Sequence, residues 1–229
     1  MAKKQKYYSL VVDGTEANIN IYGDICEWAW EELGEVNAIG LAKQLETLND
    51  INTINVHISS YGGDVKEGLA IYNSLRNHKA KIKTYCDSFA CSIASVIFMA
   101  GEERIMSNAS LLMIHNAWTY AQGNANELRK QADDLEIITG ASINAYMEHL
   151  NITEKQLKKL MDNETWLTPQ KALEMGFATS IDEKSEEEKV SQSVKHKLIK
   201  MILQATQDDD EEEDTTTSND LRGMRHVSR

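Results

Sequence analysis

The sequence predicts an α/β fold around a mostly parallel sheet, and three observations carry that prediction. Short β-branched runs such as "INTINVHISS" alternate with segments of helical period from Ile19 to Ile181. Turn and cap residues punctuate the junctions, as in "YGGD" and "LTPQKALEMG". A chain of 229 residues, 41% hydrophobic and 26% charged, is long enough to bury one ordinary core with appendages.

Taken in order, "ANINIYGDI" alternates as a strand and ends in a turn. Val36 to Leu48 follows a helical period, with Leu41, Leu45 and Leu48 on one side. "INTINVHISS" is a strand that "YGGD" interrupts. Asp64 is placed to cap the next helix, where Val65, Leu69, Tyr72 and Leu75 recur. "KIKTYC" predicts a strand, "DSFA" a loop, and Ser92 to Ala100 an apolar helix. "RIM" and "SLLMIH" are short strands. A long helix over Asn126 to Leu150 turns Leu128, Leu135, Ile138 and Tyr146 towards a partner surface. Thr153 and Glu154 open a short helix, and "LTPQKALEMG" supplies a cap, a first-turn proline and a terminating glycine.

Composition changes after Ile181, which divides the chain into a body, 1–182, and a charged tail, 183–229. From Asp182 to Arg229 there are 13 acids and 8 bases, including the unbroken acidic block "DDDEEED". Such a block repels itself and is expected to stay disordered, with an amphipathic helix over 195–205 ahead of it.

The same features exclude several function classes. The most apolar segment, Ile93 to Ala100, is too short to span a membrane. The N-terminus "MAKKQKYYSLVVDG" has no apolar stretch of signal-peptide type, so a cytoplasmic location is expected. Three cysteines without a CxxC fit a reducing compartment. No metal-ligand spacing and no P-loop occur, so neither metal, ATP nor another cofactor is expected. A net charge of −12 argues against nucleic acid as a ligand.

Ser92, at the point where "DSFAC" gives way to "SIASVIFMAG", reads two ways: as a helix cap or as a nucleophile. As a nucleophile it needs a base, an orienting group and oxyanion donors. The N–H of Ile93, at the helix N-terminus, is one candidate donor. Gly62 and Gly63 offer unobstructed backbone N–H groups, or a plain turn. His115 closes an apolar strand, where sites of α/β proteins commonly lie, or it is structural. Cys91 is a second candidate nucleophile or a small buried residue.

Four blocks, "SSYGGDVKEGLAIYNSL", "SFACSIASVIFMAG", "LLMIHN" and "ETWLTPQKALEMGF", occur in this order. Together they resemble the proteolytic subunit of Clp protease (ClpP), a family of serine peptidases that assemble into rings around a closed chamber. The resemblance spans Ile19 to Asp182. It implies the ClpP/crotonase-like spiral of repeated β–β–α units, with the long helix after His115 as a protruding handle between rings. By position it makes Ser92 the nucleophile, His115 the general base, and Gly63 and Ile93 the oxyanion donors. The third member, usually aspartate in the family, falls on Glu164, with Asp162 as fallback. A peptide substrate would lie extended along Gly62 to Val65. Ser88 and Ile93 replace a common glycine and methionine, and neither change removes a needed group.

The N-terminal segment "KYYSLVVDGTEANINIYGDI" and the acidic tail do not resemble typical Clp subunits. Both are similar to the ClpP-related head maturation proteases of tailed phages, which implies scaffold, capsid or portal proteins as partners and the host cytoplasm or prohead as location. The rivals are a Clp subunit fed by a separate unfoldase, a crotonase-like acyl-CoA enzyme, and a non-catalytic assembly protein.

Overall fold

A computed structural model describes residues 8–29 and 35–182. The expectations for 183–229, the helix over 195–205 and the acidic block included, lie outside the described residues.

Strand β1 (Tyr8–Asp13) turns through Gly14 into β2 (Glu16–Ile21), with Asp13 opposite Glu16 in an antiparallel pair. Helix α1 (Ala38–Leu45) starts at Asn37, whose side chain accepts the Gly40 N–H at 2.7 Å, and it buries Ala38, Leu41 and Leu45. Strand β3 (Thr53–Ser60) sends Ile54, Val56 and Ile58 into the core, as period-2 alternation requires. Asp64 then caps α2 (Val65–Arg76), accepting the Glu67 N–H at 3.2 Å.

Strand β4 (Lys81–Cys91) leads into α3 (Ile93–Phe98), all six residues of which are buried. After it come β5 (Glu103–Ser107), β6 (Leu111–Ile114), α4 (Ala125–Met147) and α5 (Glu154–Asp162). The described body closes with β7 (Thr165–Leu167), α6 (Pro169–Met175) and β8 (Ser180–Asp182). Helix α6 has the expected Thr168 cap, Pro169 in its first turn and Gly176 at φ 90° at its end.

The sheet runs β1-β2-β3-β4-β5-β8, and every pair from β2 onwards is parallel. Strand β6 joins from the side, parallel to β4, and carries β7 antiparallel on its other edge. The fork lies within β4, whose first half pairs β5 at Lys83–Cys86 and whose second half pairs β6 at Phe89–Cys91. Between the two halves the β3 register slips, from Ile58 opposite Cys86 to Ser60 opposite Ala90. A bulge of this kind bends a strand and lets it change neighbours.

Two expectations are corrected here. "DSFA" is strand, not loop: Ala90 pairs with β3, Phe89 and Ala90 pair with β6, and the polar Asp87 and Ser88 are carried within the same strand. Tyr146 does not face a partner surface. It is buried, edge-on to Phe177 at 5.6 Å, with its hydroxyl 2.7 Å from that of Ser95. Leu128, Ile137 and Ile138 are exposed, and no residue of α4 ahead of Thr139 is buried. Residues 125–133 are all exposed and make a helical arm about 13 Å long, whereas Leu135 is half-buried and lines a cavity with Glu154 and Lys158 of α5.

Candidate active site

Ser92 sits where β4 ends and α3 begins. Its own N–H donates to the Met113 carbonyl at 2.8 Å, which continues the β4–β6 pairing to the last residue before the helix. Entering a helix in so short a space forces Ser92 to φ 54°, ψ −128°. Left-handed φ in a non-glycine residue costs about 1–2 kcal/mol and persists only where the surroundings over-determine it. The hydroxyl makes no capping hydrogen bond to α3, which removes the cap reading. It projects instead from a sharp strand-to-helix turn, the arrangement that exposes a nucleophilic oxygen.

The turn is braced from behind. Ser95 donates its N–H to the Ser92 carbonyl at 3.0 Å, and its hydroxyl bridges that carbonyl to buried Tyr146.

His115 follows β6 directly, and its Nε2 is 2.7 Å from Ser92 Oγ. Pairing of β6 with β4 sets this contact, since Cys91 lies opposite Met113. The other described histidines lie away from Ser92. His57 lies 3.0 Å from Asp87 and stacks on Tyr85, while His78 accepts the Ala80 N–H at 3.1 Å. His149 Nε2 is buried without a partner, and burial together with Arg104 pulls that imidazole's pKa down.

No carboxylate is in hydrogen-bond contact with His115 among the described residues. Asp162 instead accepts from Asn116 Nδ2 at 2.9 Å. Glu164 is exposed at φ 47°, directly ahead of β7. The antiparallel register pairs Leu112 with Leu167, Met113 with Trp166 and Ile114 with Thr165. The pairing ends there, and His115 and Glu164 are each the next residue beyond it.

Gly62 and Gly63 lie at φ 104° and 145°. A Cβ on Gly62 would be 2.8 Å from Ser92 Cβ and 3.3 Å from the Ile93 nitrogen, so this backbone abuts the serine turn. A Cβ on Gly63 would be 2.0 Å from the Ile25 carbonyl oxygen. Ile25 clamps the turn, donating to the Gly62 carbonyl at 2.9 Å and accepting from the Asp64 N–H at 2.7 Å. Neither Gly63 N–H nor Ile93 N–H has an acceptor among the described residues. Gly68 brings α2 against α3 at the same end, since a Cβ there would be 2.1 Å from Ile93 Cγ1.

Gly62, Gly63, Val65, Ser92 and His115 all line one cavity of about 800 Å³. Asp24, Cys26, Glu27, Trp28, Tyr61, Asp64, Met113 and Trp118 complete most of its wall. Of these, Trp118 was within reach of the sequence, three residues beyond His115. Trp28 and Tyr61 were not, because isolated aromatics in loops carry no periodic signal. Cys91 is fully buried and desolvation pushes its thiol up to about 11, so it is no rival nucleophile. Among the described residues no helix is long and apolar enough to cross a membrane.

Comparison with known proteins gives the family. A family model described as Clp protease matches residues 37–185. The ATP-dependent Clp protease proteolytic subunit of Deinococcus radiodurans is 30% identical over 145 residues, covering 62% of this chain and 71% of that protein.

Proposed function

The chain belongs to the Clp protease family of serine peptidases, and from that premise we propose that Ser92 is the nucleophile of an endopeptidase with His115 as its base. The observation that carries this reading is the 2.7 Å contact between His115 Nε2 and the uncapped hydroxyl of Ser92. His115 takes the hydroxyl proton as Oγ attacks the peptide carbonyl, then gives it to the leaving amine. Water releases the acyl-enzyme by the same steps. The N–H groups of Gly63 and Ile93 hold the oxyanion, a contact worth about 3 kcal/mol per donor. The substrate lies extended along Gly62 to Val65 and pairs through its backbone.

Glu164 is the orienting carboxylate in this proposal, supported by its place one residue beyond the β6–β7 pairing, as His115 is on the other strand. Glu164→Gln keeps the shape and deletes the charge, so kcat/KM on a fluorogenic peptide should fall about 100-fold or more. Asp162→Asn should stay within about threefold of the parent. The reverse order would move the role to Asp162.

The protein works as a homo-oligomeric ring joined through α4, whose exposed Leu128 and Ile137 are suited to burial against another copy. Its biological role is maturation of a phage head by cleavage of scaffold, capsid or portal proteins. Supporting this is residues 8–21 folding as a β1–β2 hairpin on the sheet edge, together with the acidic tail sequence. A second reading, a proteolytic subunit served by a separate unfoldase, is favoured by the name of the Deinococcus relative. Mass spectrometry of capsid proteins assembled with the intact chain or with Ser92→Ala decides between them. New termini that appear only with intact Ser92 support maturation, and identical masses in both preparations overturn it.

A further inference from the structure

We propose that the cavity around Ser92 selects peptides carrying a lysine or arginine side chain beside the bond that is cut. The inference rests on the peptidase reading and adds the substrate class. Three carboxylate residues, Asp24, Glu27 and Asp64, line the same cavity as the Ser92–His115 pair, and among the described residues no lysine or arginine lines it. Two indoles join them: Trp28 is 82% exposed and Trp118 is 65% exposed.

Carboxylates and aromatic faces, with Ile25, Val65, Met113 and Ala117 between them, suit a long side chain that is apolar along its stem and charged at its end. A flexible apolar stem packs against the indoles, and a terminal cation meets both the ring quadrupole and the acids. An acidic side chain would be repelled, and an aliphatic one would leave the carboxylates uncompensated. The partners of these acids bear on how much charge remains. Asp64 caps α2 through a backbone N–H, so its contact there is not with a cationic side chain. Lys66 offsets Glu27 in part, at 3.3 Å, but shares itself with Glu67 at 3.4 Å and does not line the cavity. Asp24 is exposed and forms no ion pair among the described residues. The net charge of −12 adds a long-range field that draws cationic peptides towards the chain.

The test uses the full chain in its native assembly and fluorogenic peptides that differ only at the residue before the cleaved bond: Lys, Arg, Leu or Glu. The expected result is kcat/KM for Lys and Arg about tenfold above Leu and further above Glu, carried mainly in KM. Raising the salt from 0.1 to 0.5 M should shrink the advantage. The double variant Asp24→Asn/Glu27→Gln should bring the Lys/Leu ratio down to about 1–2. Fluorophosphonate labelling of Ser92 is run in parallel. A labelled enzyme that cuts the Leu or Glu peptide as well as the Lys peptide overturns the selectivity alone. A chain that neither labels nor cuts any of the peptides overturns the peptidase reading, and the selectivity with it.

Discussion

Ser92→Ala is expected to lower kcat/KM by about 10³-fold or more and to leave the fold intact. The two halves of that expectation have separate physical origins. Activity falls because no other described hydroxyl or thiol lies against His115, and Cys91 beside it is buried with a raised thiol pKa. Stability holds because the serine hydroxyl caps nothing, and alanine has the same Cβ at the same φ of 54°. A cap serine would behave differently, losing about 1 kcal/mol on truncation. Thermal unfolding of the variant should therefore match the parent within a degree or two, while fluorophosphonate labelling disappears. Ser92→Gly adds a reading of the strain. Glycine relieves about 1–2 kcal/mol of left-handed strain and costs about 0.5–1 kcal/mol of chain entropy, so this variant should be no less stable than Ser92→Ala. A variant that lacks the hydroxyl and still turns over peptides at the parent rate removes Ser92 from the chemistry. A clear loss of stability in Ser92→Ala would restore the cap.

Much of the fold was legible because local rules and tertiary context agree in it. Asp64, Thr153 and Thr168 each cap the helix expected of them, and Gly176 ends α6 in the left-handed conformation only glycine takes without strain. The failures come where context overrides composition. Asp87 and Ser88 read as loop, yet the backbone there belongs to β4, bulged against β3 on its way to β6. Helical spacing grouped Tyr146 with the exposed apolar residues of α4, but periodicity does not say where a long helix leaves the body and where it packs. The first buried residue of α4 is Thr139, and Tyr146 lies on the packed side.

For the site, sequence alone put His115 at a strand end and Ser92 at a helix start. The distance between them follows from β6 pairing with β4, a contact across 23 residues that no local pattern encodes. Glu164 is a similar case. The resemblance places the third member on Glu164 with Asp162 as fallback, and the β6–β7 pairing stops at Ile114 and Thr165, one residue short of it.

Gly63→Ala should be the most damaging single-methyl change in the body. The new Cβ would stand 2.0 Å from the Ile25 carbonyl oxygen and 2.8 Å from its carbon, both backbone atoms held in place by the bond from the Asp64 N–H. Flexible side chains can give way to an intruding methyl; a carbonyl clamped between two turns must move its strand. The φ of 145° adds strain that any L side chain would feel. Together these should cost about 3 kcal/mol or more, read as a lower midpoint in guanidinium unfolding. If the Gly63 N–H holds the oxyanion as proposed, the same displacement should also cost the folded fraction about 10²-fold in kcat/KM. Gly14→Ala is the control. It too has a positive φ, 60°, but a Cβ there meets nothing within 4 Å, so only the backbone term of about 1–2 kcal/mol applies and turnover should be unaffected. A Gly63→Ala chain as stable and as active as Gly14→Ala would mean that the turn tolerates a side chain and that its backbone N–H is not what holds the oxyanion.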